Sequence, residues 1–86
     1  MALRERWLEN AFFVLGIGPG ATRLEVERAG QRLLAELAIS RKSALQYDTP
    51  LGKNPRTPEL VRQALAELRD PLRRLIHEAW ANVPLP

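Results

Sequence analysis

The chain of 86 residues has no cysteine, one histidine, and no apolar run long enough to span a bilayer, for which roughly 20 residues are needed. The missing cysteines exclude disulfide staples, thiolate metal sites and thiol catalysis, and make a reducing, cytoplasmic setting the natural expectation. The first residues, Met1-Ala2-Leu3-Arg4-Glu5-Arg6-Trp7, mix charged and apolar side chains, unlike the uninterrupted apolar stretch of a signal peptide. Strand-type alternation, repeats, low-complexity runs and heptads are missing too. A chain this short holds one core, and domains of this size bury only about 60–65% of their unfolded surface, so well-packed helices must supply the stability.

Charge is of mixed sign. Eleven arginines and two lysines stand against ten carboxylates, for a net charge of +3 and a pI near 10.2. Glu and Arg alternate along the chain as on a solvated helical surface, whereas a nucleic-acid site gathers cations on one face, usually with a reading element. Arg62, Arg69 and Arg73 are spaced to align across two neighbouring helices, beside Arg28 and Arg32 on a third. That alignment keeps an arginine-rich helical nucleic-acid-binding domain as an alternative reading.

Four helical segments emerge from the apolar spacing. Trp7, Leu8, Ala11, Phe12 and Leu15 predict a first helix over 4–15, stopped by Gly16 and the Gly18-Pro19-Gly20 turn. Thr22-Arg23-Leu24-Glu25 is a capping-box signature opening a second helix, whose stripe is Val26, Ala29, Leu33 and Leu37. Nothing obvious stops that helix before Ser43 to Gln46, so it is expected over 23–45. Turn formers and two prolines make 47–56 the one substantial loop, without a regular element. Thr57-Pro58-Glu59 opens a third helix over 58–69, and Asp70-Pro71 opens a fourth over 71–82. The expected core is Phe12, Leu15, Val26, Ala29, Leu33, Leu37, Val61, Ala64, Leu65, Leu68, Leu75, Ile76 and Trp80. Residues 1–82 are expected to form the domain and 83–86 a tail or linker, which suggests a domain cut from a longer protein but reads equally as a natural terminus.

In that order the segments resemble a J domain. Phe12-Phe13-Val14-Leu15-Gly16-Ile17 is similar to the family's opening Tyr-x-Val-Leu-Gly-Val, and Pro19-Gly20-Ala21-Thr22 with Glu25-Val26 is similar to its Pro-x-Ala-Ser/Thr-x-x-Glu-Ile turn. Ala64-Leu65-Ala66-Glu67-Leu68-Arg69-Asp70-Pro71, with Arg74 and His77-Glu78, looks like Ala-Tyr-x-x-Leu-x-Asp-Pro-x-x-Arg-x-x-Tyr-Asp. The resemblance covers about residues 10–80 and implies an all-α bundle. A J domain stimulates a heat-shock ATPase through His-Pro-Asp after its second helix, and Ala38-Ile39-Ser40 stand at that place here. Those three residues are able to prolong the second helix and displace the loop. Glu27 and Glu36 also interrupt the basic face formed by Arg28, Arg32, Arg41 and Lys42.

The resemblance therefore implies a degenerate J-like protein–protein interaction module, not an enzyme, with a divergent co-chaperone that still docks its chaperone as a further alternative. The expected surface comprises Trp7, Arg28, Arg32, Arg41, Lys42, Arg62, Arg69 and Arg73. No cofactor or metal is expected: Glu25 and Glu27 point to different helix faces, and Gly16-x-Gly18-x-Gly20 follows a helix and lacks a P-loop lysine. His77 has no nucleophile at helical spacing and replaces the family's tyrosine. A protein partner is expected, nucleic acid is the lesser possibility, and no membrane association is expected. Gly30 stands where the family has an aromatic; it either weakens the helix by about 0.5–1 kcal/mol relative to Ala or permits close helix approach.

Overall fold

Four N-cap residues set where helices begin. Asn10 Oδ1 accepts the Phe12 N–H and opens α1 (Ala11–Leu15). Thr22 and Glu25 form the reciprocal capping box and open α2 (Arg23–Ala38). After an intervening hairpin, Thr57 accepts from Leu60 and opens α3 (Pro58–Arg69), and Asp70 accepts from Leu72 and Arg73 and opens α4 (Pro71–Ala81). Each cap satisfies amides that have no partner within their own helix, and proline occupies the first helical position in α3 and α4. The computed structural model describes residues 8–82.

The chain is not all-α. Residues 46–55, expected as loop, form an antiparallel hairpin of β1 (Gln46–Thr49) and β2 (Gly52–Pro55), so the domain is mixed α/β. Pro50 and Leu51 make its turn, where Thr49 Oγ1 donates to the Gly52 carbonyl and accepts the Leu51 N–H. Pro55 is tolerated because of register. Arg56 N–H donates to the Leu45 carbonyl just beyond the ladder, so by the antiparallel alternation the Gln46–Pro55 pair makes no ladder hydrogen bonds and the missing proline donor goes unneeded.

Two helices are shorter than expected. The first, predicted over 4–15, is interrupted: Leu8 is helical, but Glu9 turns and Asn10 leaves the helical region (φ −59°, ψ 128°) to cap a new helix at Ala11. The second, predicted over 23–45, ends at Ala38. Ser40 adopts φ 52°, its N–H donates to the Leu37 carbonyl, and the Arg41 N–H donates to the Glu36 carbonyl. This is a Schellman motif with serine in the position usually held by glycine. Ala38-Ile39-Ser40 therefore stop the helix instead of prolonging it, and a 3-10 turn at Lys42–Ala44 leads into β1.

Helix α3 is the centre of the fold and packs against α1, α2 and α4, while β1 packs against α1. Phe12, Leu15, Val26, Ala29, Leu33, Val61, Ala64, Leu65 and Leu68 are buried as expected, joined by Ala11, Val14, Ala44 and Tyr47. Leu37 is only half-buried against this cluster. Leu75, Ile76 and Trp80 are not in it. Leu75 and Ile76 are 59% and 50% exposed, Trp80 is half-buried, and α4 contributes no buried residue.

Candidate protein-interaction surface

Helix α4 has its expected stripe, but the stripe faces outward. Leu72, Leu75 and Ile76 are exposed, while Arg74, His77, Glu78 and Ala81 on the opposite side are half-buried against the body. The reason lies in what the body presents. The Arg74 guanidinium lies 5.4 Å from the Phe12 ring centroid and donates to the Ala21 carbonyl (2.6 Å), while its Nε bonds Glu78. His77 Nδ1 accepts the Ala11 N–H (3.1 Å), and Asn10 Nδ2 donates to the His77 carbonyl (2.9 Å). An apolar side turned inward would leave these amides and carbonyls without partners, at about 1–3 kcal/mol for each buried group. The polar side of α4 therefore wins the contact.

The outward stripe borders a groove of about 270 Å³ between α3, α4 and the start of α1. Ala11, Val14 and Ala64 form its apolar floor, with Leu60 on one wall and Ile76 and Trp80 on the other. Glu9, Gln63, Glu67, Arg73 and His77 line its polar margin. Glu67 accepts from Arg73 Nη1 (2.8 Å), lies 3.4 Å from His77 Nε2, and is held below the usual carboxylate range first by the arginine and then by the histidine.

Three of the seven cations of the expected surface are neutralised by ion pairs. Arg69 makes a bidentate pair with Glu27 (2.7 and 3.0 Å), which lowers the glutamate pKa and raises that of the arginine. Arg73 is held by Glu67, and Arg41 pairs with Glu36 (3.1 Å) beside the Schellman turn. Arg28, Arg32 and Arg62 are exposed and make no ion pair among the described residues; Lys42 is exposed on the 3-10 turn. The alignment of Arg62, Arg69 and Arg73 thus yields no free cationic cluster, since two of the three serve as links to neighbouring helices. Ile39 is 73% exposed beside Ser40. Trp7 lies outside the described residues.

Sequence reasoning missed Arg56, Tyr47 and the inward role of Arg74. Arg56 is buried, donates through Nε to Val14 O (2.7 Å) and through Nη1 to Ala44 O (3.2 Å), and lies 5.5 Å from the Tyr47 ring centroid. Burial pushes its pKa down and that of Tyr47 up. Tyr47 donates to Leu8 O and accepts from Asn54 Nδ2, linking the hairpin to the segment that precedes α1. Sequence offered no signal for these contacts beyond the aromatic character of Tyr47. Among the described residues, no three His, Asp or Glu side chains converge to hold a metal ion, and no helix is long and apolar enough to cross a membrane. Comparison with known proteins finds no matching family model, curated protein or solved structure.

Proposed function

We propose that this chain is a non-catalytic, J-like protein-interaction module that seats an amphipathic helix of a partner protein in the groove between α3 and α4. The observation that carries the reading is the outward orientation of Leu72, Leu75 and Ile76 beside an apolar-floored groove. Three such side chains offer a few hundred Å² of apolar surface. A stable homodimer needs about 800 Å² from each copy, so a single incoming helix with apolar anchors at i, i+3 and i+4 fits better than a second copy. Glu9, exposed at the groove margin, favours a basic residue beside those anchors. The J-like part of the proposal rests on the matched residues at both ends of the chain. In the J-like register Ala38-Ile39-Ser40 stand where the ATPase-stimulating tripeptide would be, so the module is not expected to stimulate a heat-shock ATPase.

Two experiments test this. A display library of helical peptides with apolar stripes is expected to yield binders whose NMR perturbations map to α3 and α4. The double variant L72S/I76S, which alters the stripe where it lines the groove, should abolish that binding yet melt within a few degrees of the parent, since both side chains are exposed. Binders that map elsewhere, or concentration-dependent dimerisation through α4, would overturn the docking assignment. Clear stimulation in a steady-state assay with a bacterial heat-shock ATPase of the class that J domains serve would overturn the other half.

A further inference from the structure

The histidine that joins α4 to the rest of the fold is placed to choose between two partners. Ala11 is the first residue of α1, and its N–H has no acceptor within that helix. His77 Nδ1 provides one at 3.1 Å, which requires a lone pair on Nδ1 and places the ring hydrogen on Nε2. That nitrogen lies 3.4 Å from Glu67 Oε1 on α3. One neutral ring thereby bridges α1 and α3 across the groove.

We propose that protonation of His77 operates as a latch, freeing the Ala11 amide at the start of α1 while tightening the ring onto Glu67 of α3. A proton on Nδ1 faces the Ala11 N–H donor to donor, so the hydrogen bond is lost. The imidazolium simultaneously gains a charge-assisted bond to Glu67. The charged surroundings permit this exchange. From α3 the ring meets Glu67, whose other oxygen holds Arg73; ahead of α1, Glu9 lies on the same groove margin; on α4 itself Arg74 is paired with Glu78. Asn10, which donates to the His77 carbonyl, carries no charge and holds the backbone whichever way the ring turns.

The latch rests on this geometry alone. Its consequence, a groove whose shape depends on pH, rests on the docking reading above, and the latch is measurable without any partner. Nitrogen-15 NMR of the whole chain, swept from about pH 8 to about pH 5, reports both ends of the switch. At the upper end the ring is expected as the Nε2–H tautomer with the Ala11 amide protected from exchange. As the ring titrates, Ala11 protection, corrected for intrinsic rate, is expected to fall about five- to ten-fold while Val61 in the core stays constant. In H77Q the side-chain oxygen accepts the same N–H without titrating, so Ala11 protection is expected to be flat over the range. An Nδ1–H tautomer at pH 8, Ala11 protection unchanged through the wild-type titration, or an H77Q variant with the wild-type pH dependence would each overturn the latch. Should H77Q fail to fold, the wild-type tautomer and exchange data decide the matter alone.

Discussion

Leu65 fills the space where a side chain on Gly30 would stand: a Cβ there would lie 2.4 Å from Leu65 Cδ2 and 2.6 Å from Cδ1. Gly30 lies in α2 and Leu65 in α3, and Leu65 is 3% exposed, so its side chain has nowhere to retreat. Of the two readings open from sequence, close helix approach is the correct one. G30A gains about 1 kcal/mol of helix propensity but overpacks the core at a cost of about 1–3 kcal/mol. The variant is expected to melt below the parent. In an L65A background, itself destabilised by about 2–5 kcal/mol, G30A is expected to be neutral or stabilising. A double-mutant cycle by urea denaturation measures the coupling, and stabilisation by G30A in the parent would refute it.

Arg56, which follows the hairpin, ties the carboxyl end of α1 to the 3-10 turn through Val14 O and Ala44 O. R56M keeps the length but leaves both carbonyls unsatisfied in a buried setting, and is expected to lose about 2–3 kcal/mol. R56K keeps the charge without the planar fork that reaches both acceptors, so it should fall between the two. Equilibrium denaturation ranks the three proteins.

Ser40 holds φ 52° with a side chain attached. Because the left-handed conformation costs a non-glycine residue about 1–2 kcal/mol, S40G is expected to raise stability by up to about 1 kcal/mol, and β-branched S40V to lower it. Melting temperatures of the two variants are expected to move in opposite directions.

Glu27 and Glu67 both have folded-state pKa values below the ordinary carboxylate range, through Arg69 and through Arg73 with His77. A lowered folded pKa contributes stability above the unfolded value, about 4.3, and that contribution is lost as pH falls through the lower folded values. Wild-type stability is therefore expected to decline below about pH 4.5. E27Q and E67Q should each be weaker at neutral pH by a few tenths to about 1 kcal/mol, and should show a shallower acid decline. Denaturation midpoints across pH 3–7 give the comparison, and parallel acid limbs would count against these pairs.

Local chemistry made several elements readable in advance. The Thr22–Glu25 box, the Thr57-Pro58 opening and the Asp70-Pro71 corner each lie within one helical turn, so their partners are neighbours in the chain as well as in space. The stripes of α2 and α3 located most of the core for the same reason: spacing along one helix reports one face of it. Three things could not be read in advance. Arg56 and Tyr47 reach partners 42 and 39 residues away, and nothing in residues 47–56 announces them. The Schellman turn lacked its usual glycine, which hid the end of α2. For α4, amphipathicity determined that one side would be apolar but not that this side would face inward. The unpaired Ala11 N–H and the Ala21 carbonyl, 66 and 53 residues from the side chains that meet them, decided that, because a buried polar group without a partner costs more than an exposed leucine.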